Sequence, residues 1–335
     1  MSCGAPEILR AVSHRRHIYI YSPSGAVRDK AAFRRGVARL KALGHEVEID
    51  EAALKSWQRF AGDDATRLAA IGRAAASGAD VALITRGGYG LTRILDALPY
   101  KAVARAIDKG TAFVGLSDFT AFQLALLAKT GQVSWAGPAL GEDFGAEAGP
   151  DDIMEACFDD LLEGQGEGTG WRMPSRDAGV ALKPVHGATL WGGNLRVLVS
   201  LLGTPYFPAV DKGVLFLEDV GEHPYRIERM LDQLRHAGVL GRQKAVVLGQ
   251  FTGFRAVPHD RGFRLQTVID RLRSLLKVPV LAGLPFGHVP TKVLLPVGAP
   301  VEMAAQEREV FLVWGHGVGG SRHHHGHGHD HHHHA

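Results

Sequence analysis

The sequence predicts an α/β protein with two domains: an N-terminal domain built on a parallel sheet, and a smaller mixed α/β domain after it. Three observations lead there. The first half alternates short apolar runs with amphipathic helical patterns, the signature of a parallel sheet with helices on both faces. The 335 residues exceed the roughly 100–200 of one ordinary domain. A glycine-rich stretch, Glu163-Gly164-Gln165-Gly166-Glu167-Gly168-Thr169-Gly170, has no apolar period and interrupts the pattern between the halves. The expected division is 1–165, a linker over 166–180, a C-terminal domain over 181–320, and a tail from 321 to 335.

The elements follow in order. His17–Ser22 reads as a buried strand running into the turn Pro23-Ser24-Gly25, and a helix follows from Lys30 to Leu43, where Gly44 is a stop signal. Glu46–Ile49 fits a second strand, Asp63–Ser77 a helix, and Val81–Thr85 another buried strand that opens into Arg86-Gly87-Gly88-Tyr89-Gly90 and a further helix. Ala112–Gly115 is a strand ending close to Ser117, with a helix from about Phe119. In the second half, Val214–Leu217 and Ala245–Leu248 are short buried runs. Between them Ile227, Met230, Leu231 and Leu234 share one helical face. Arg264–Leu276 is amphipathic, and Lys292–Val297 and Val301–Val313 read as antiparallel strands.

Composition excludes several classes. A net charge of +3 without a run of basic residues gives no case for nucleic acid. Nothing reaches the roughly 18 apolar residues of a membrane span. Met1–Arg16 lacks the apolar core of a signal peptide, so a cytoplasmic protein is expected. The two cysteines, Cys3 and Cys157, cannot build a disulfide framework or a zinc site. Nine of the 18 histidines lie in Arg322–Ala335, a low-complexity stretch expected to be disordered. It reads equally as a tag, a metal-sequestering tail or a solvated tail without function, and none of these makes a metal catalytic.

Four segments carry chemistry. Ser117 lies where an apolar strand meets a helix within about two residues, a turn that exposes the hydroxyl over a helix N-terminus. The N–H of Asp118 then points where an oxyanion develops, although either residue would also serve as a plain helix cap. Three glycines in Arg86–Gly90 let backbone approach a ligand, without forming a dinucleotide fingerprint or a P-loop. Glu218 follows a buried strand, where α/β sheets build their sites. His288 sits in a stiff loop, Leu284-Pro285-Phe286-Gly287-His288-Val289-Pro290, and a histidine there can act as general base. A solvated acidic loop and a structural histidine are the plainer readings of the last two. The order Ser…Glu…His also occurs in α/β-hydrolases, but Phe119 breaks the G-x-S-x-G elbow.

Taken in order, Ser22-Pro23-Ser24-Gly25, R-G-G-Y-G at 86–90, G-L-S-D-F-T at 115–120, W-G-G-N-L at 191–195, L-E-D-V-G-E at 217–222, P-Y-R-I-E-R-M-L at 224–231 and G-H at 287–288 resemble the LD-carboxypeptidase (muramoyltetrapeptide carboxypeptidase) family of serine peptidases, over about 17–300. Ala26 departs from the proline common there. The resemblance implies a flavodoxin-like or amidotransferase-like N-terminal domain facing a smaller domain across a cleft. It implies Ser117 as nucleophile, His288 as base and acid, Glu218 as the orienting carboxylate, and N–H groups of Asp118, Gly87 and Gly88 as the oxyanion hole. Arg86, Tyr89, Trp191 and Asn194 are the expected substrate contacts, Arg86 for a substrate carboxylate and Trp191 as a wall of the cleft or a stacking surface for adenine. No cofactor or metal is implied. The implied reaction removes the terminal D-Ala from muropeptide tetrapeptides in wall recycling, in a homodimer. A branch of the family instead gives immunity to microcin C by acting on peptidyl- or aminoacyl-nucleotides.

Overall fold

The computed structural model describes residues 14–315. The first half forms β1 (His17–Tyr21), α1 (Lys30–Ala42), β2 (Glu46–Ile49), α2 (Asp64–Ala76), β3 (Val81–Ile84), α3 (Tyr100–Asp108), β4 (Ala112–Gly115), α4 (Phe119–Thr130), β5 (Ser134–Ala136) and α5 (Asp152–Glu163). Local chemistry sets the helix ends. Asp29, Asp63 and Asp151 each accept a first-turn N–H of α1, α2 and α5. Gly131 and Gly164 close α4 and α5 in the left-handed conformation. Helix α4 is buried from Phe119 through Leu126, so it is wrapped on all sides: the sheet lies under it and the second domain over it.

The second half forms β6 (Gly168–Arg172), β7 (Val185–Asn194), α6 (Leu195–Ser200), β8 (Val214–Val220), α7 (Pro224–His236), β9 (Ala245–Thr252), α8 (Leu265–Leu275), β10 (Val280–Leu281), β11 (Leu295–Val297), β12 (Pro300–Gln306) and β13 (Glu309–Val313). The fold is therefore mixed α/β with two sheets. The N-terminal sheet has the order β11-β5-β4-β3-β1-β2, parallel except for β11. The other has the order β10-β9-β8-β7-β12-β13-β6, parallel from β10 to β7 and antiparallel beyond.

Two expectations change. The segment read as a linker, 166–180, contains β6, an edge strand paired with β13. Backbone bonds hold it, and a side chain at Gly168 would come 2.6 Å from the Leu312 carbonyl, so its composition carries no strand pattern. Lys292–Val297 does not pair with the strands after it. Its β11 runs antiparallel to β5 in the N-terminal sheet, Leu295 opposite Ala136, a partner too distant in sequence to leave a local signal. Cys157 is a free, half-buried thiol. Cys3 and the histidine-rich tail lie outside the described residues. Among those described, no helix is long and apolar enough to cross a membrane.

The return of β11 fastens the loop before it to the N-terminal domain. Lys292 is 2% exposed and sits 2.9 Å from Asp143, itself buried after β5. Thr291 Oγ1 donates to Asp151 Oδ2 at 2.6 Å. A buried pair broken on one side leaves an uncompensated charge. Asp143→Ala should therefore lose about 3–5 kcal/mol in urea unfolding, while replacing both partners with apolar residues should restore most of it.

Candidate active site

The sheet order places a topological switch at β1, with β2 on one side and β3, β4 and β5 on the other. The loops leaving the carboxyl ends of β1 and β3 diverge there and open a crevice. They touch at its floor, where the Gly25 N–H donates to the Gly87 carbonyl at 3.2 Å. The turn after β4 delivers Ser117 beside them with φ +66°, the left-handed region that a non-glycine residue occupies only when its surroundings hold it.

Asp118 does the holding. Its carboxylate, 3% exposed, accepts from Ser24 Oγ at 2.5 Å and from the Leu91 N–H at 2.9 Å. Burial pushes its pKa up, against the pull of those two bonds and of the Arg67 and Arg196 charges. Gly87 answers to the same geometry, since a Cβ there would lie 2.7 Å from Ser117 Cβ and 2.9 Å from its Oγ. Among the described residues the N–H groups of Gly87, Gly88 and Asp118 donate to no protein acceptor.

The second domain brings the other two candidates. Glu218 lies within β8, fully buried, where the β8–β9 register shifts between Leu217 and Asp219. Such an irregularity re-aims a side chain. Glu218 Oε2 and His288 Nδ1 are 2.8 Å apart. The parallel register sets Asn194 beside Glu218, and Asn194 Nδ2 donates to Glu218 Oε1 at 3.1 Å and Asp219 Oδ1 at 3.0 Å. Gly287, at φ +145°, brings the loop over Glu218, and a Cβ there would lie 2.9 Å from the Gln250 carbonyl. Burial lowers the His288 pKa, but the Glu218 hydrogen bond and charge, with Glu142 adding, raise it above its ordinary value on balance.

A cleft of about 920 Å³ runs between the domains, lined by Ser117, His288, Arg86, Tyr89 and Asn194 among others. No hydrogen bond joins Ser117 to His288 among the described residues; the two share the cleft wall. The Arg86 guanidinium donates to the Ala26 carbonyl at 3.0 Å. Tyr89 is exposed on the rim and packs on Phe60.

Trp191 is corrected: it is fully buried, donates Nε1–H to Gln243 Oε1 at 3.0 Å and meets Phe207 edge-on. Its strand β7 is flanked by β8 and β12, so the indole faces the core rather than the cleft. Asn194 reaches the cleft wall, but its amide is engaged by Glu218, Asp219 and the Val197 N–H; it positions a carboxylate instead of meeting substrate. The sequence reading missed Ser24, Asp219, Asp143 and Lys292, none of which forms a motif. Thr120 was visible only as part of the quoted segment. Its Oγ1 accepts the Asn194 N–H at 3.0 Å, joining α4 to the end of β7.

The chain matches two family descriptions: LD-carboxypeptidase N-terminal domain over residues 18–137 and LD-carboxypeptidase C-terminal domain over residues 187–303. The crystal structure of a muramoyltetrapeptide carboxypeptidase from Oxalobacter formigenes superposes with a TM-score of 0.80 at 38% identity, over 89% of this chain and 98% of that one. The probable murein peptide carboxypeptidase of Bacillus subtilis is 29% identical over 273 residues, 80% of this chain and 83% of the relative. The microcin C7 self-immunity protein of Escherichia coli is 26% identical over 251 residues, 68% of this chain and 71% of that protein.

The Glu218–His288 contact has a measurable consequence. A raised folded-state pKa means that the charged pair adds stability below about pH 6.5, the unfolded value, and that this contribution is lost as pH rises through the folded value. In an NMR titration His288 should titrate above the ordinary histidine range. In Glu218→Gln, where mainly desolvation remains, it should fall below that range.

Proposed function

The chain belongs to the LD-carboxypeptidase family, and from that premise we propose that it is a serine-type LD-carboxypeptidase that releases the terminal D-Ala from muropeptide tetrapeptides in wall recycling. The observation that carries this reading is the buried Glu218 carboxylate 2.8 Å from His288 Nδ1, with Ser117 in its left-handed turn lining the same cleft. The similarity to proteins described as acting on muramoyltetrapeptide and murein peptide supports the substrate class. A homodimer in the cytoplasm belongs to the same proposal.

In this mechanism Glu218 accepts the Nδ1–H and leaves Nε2 free as base. His288 takes the Ser117 proton as Oγ attacks the carbonyl of the L-configured residue before D-Ala. The oxyanion forms against the N–H groups of Asp118 and the Gly87–Gly88 turn, each such donor being worth about 3 kcal/mol in the transition state. His288 returns the proton to the amine of D-Ala as the C–N bond breaks. Water, deprotonated by the same histidine, then releases the acyl group from Ser117.

A second reading, hydrolysis of peptidyl- or aminoacyl-nucleotides, is favoured by the similarity to the microcin C7 self-immunity protein. The burial of Trp191 removes the indole as a stacking face for a base. Purified protein offered both substrates side by side decides between them.

On an L,D-tetrapeptide, Ser117→Ala should lower kcat by about 10⁴ or more, with turnover by the native protein unaffected by EDTA; unchanged turnover in Ser117→Ala would sink the assignment. Gly87→Ala keeps an ordinary backbone but sets a methyl group 2.9 Å from Oγ. It should lose on the order of 10² in kcat/KM with little change in thermal midpoint. Because neutral His288 is the active form and its pKa is raised, the acid limb of kcat/KM should lie above the ordinary histidine value of about 6.5. Glu218→Gln should move that limb to lower pH and cut kcat by about 10³–10⁴.

A further inference from the structure

Four ionisable groups on the N-terminal wall of the cleft have no part in the triad. Arg28 follows β1, Arg59 precedes α2, Arg86 follows β3 and Glu142 lies in the turn after β5; all line the cleft that holds Ser117 and His288. Elsewhere the protein matches arginines with carboxylates: Arg73 with Asp50, Arg93 with Asp64, Arg196 with Glu222, Arg273 with Asp177. Here it does not. Arg28 and Arg59 are exposed to the cleft, and among the described residues neither has an ion pair. Arg86 is anchored on the Ala26 carbonyl. Glu142 is also unpaired within ion-pair distance, yet its charge is felt at Arg86 and at His288. Burial first, and then the Arg28 and Arg59 charges, push the Arg86 guanidinium down, so the three cations act on one another across a short span.

Unpaired cations crowded on one wall cost free energy unless an anion joins them. A phosphate would meet the Glu142 carboxylate on the same wall. A group carrying both charges satisfies all of it. We propose that this wall is a subsite for a zwitterionic amino-acid head group on the substrate's side chain, with its carboxylate held by Arg28 and Arg59 and its ammonium by Glu142. A diamino dicarboxylic acid as third residue of the tetrapeptide, of the diaminopimelate type, presents such a group; lysine presents the ammonium alone and meets the arginines uncompensated. This inference rests on the muropeptide reading of the same cleft.

The test uses tetrapeptides that differ only in the third residue: diaminopimelate, diaminopimelate with its side-chain carboxylate amidated, and lysine. The native protein should favour the first by about tenfold or more in kcat/KM, mainly through KM, the scale of one charge-assisted hydrogen bond. The Arg28→Gln/Arg59→Gln double variant should lose that factor on the diaminopimelate peptide and change little on the other two. Glu142→Gln should weaken both peptides that carry the ammonium and carboxylate or its amide. Equal losses on all three peptides, no preference in the native protein, or a loss that follows amidation of the terminal D-alanine instead would each overturn the assignment. Dissociation constants measured in Ser117→Ala separate the two claims. Tighter binding of the diaminopimelate peptide without cleavage of any peptide by the native protein would remove the muropeptidase reading and keep the subsite. Equal cleavage of all three would do the reverse.

Discussion

The buried carboxylate of Asp118 is the constraint on which the N-terminal half of the cleft depends. By accepting from Ser24 Oγ and the Leu91 N–H, it ties the loop after β1 and the segment after β3 to the turn after β4. A non-glycine residue in the left-handed region costs about 1–3 kcal/mol and persists only when its surroundings over-determine it. Ser117 is held in that way. Arg67, fully buried on α2, adds a second tie by donating to the carbonyls of Pro23 and Gly90. The glycines at 25, 87 and 88 are then demanded by contact: a Cβ on any of them would meet another of these loops at 2.7–2.9 Å.

The second domain repeats the device with different parts. Glu218 and Asp219 are neighbouring buried carboxylates, and Asn194 donates to both. Burial pushes Asp219 up, as does the Glu218 charge, while the Val220 and Arg196 N–H groups and Asn194 oppose it. The amide leaves Glu218 Oε2 for His288. The two halves meet because α4 is buried by both domains, because Thr120 accepts the Asn194 N–H, and because β11 crosses back to the first sheet. The His288 loop is clamped at one end by that strand and by Lys292 on Asp143, so its position relative to Ser117 is fixed by the N-terminal domain as much as by its own.

Legibility in the sequence followed the range of the interactions. The units from β1 through α4 announce themselves because apolar period, capping aspartates and stop glycines all act within a few residues. Ser117, Glu218 and His288 were readable as loop or strand-end residues with suitable chemistry, and the ordered set of short motifs joined them. Trp191 misled because a tryptophan beside two glycines looks the same in sequence whether its strand lies at an edge or in the middle of a sheet. The strand β6 was hidden because backbone bonds to β13 need no side-chain pattern.

By itself, the sequence determined the alternation that gives a parallel sheet, the places where the chain turns, and the residue types available for nucleophile, base and carboxylate, since these depend on local propensity and spacing. Only the tertiary structure decided that Ser117 adopts a left-handed turn, that Asn194 serves Glu218, that β11 belongs to the first sheet, and that Arg28, Arg59 and Glu142 stand on one wall without partners. Each of those depends on atoms far apart in the chain being pressed into contact, and a buried charge or a missing Cβ has no local signature until that packing exists.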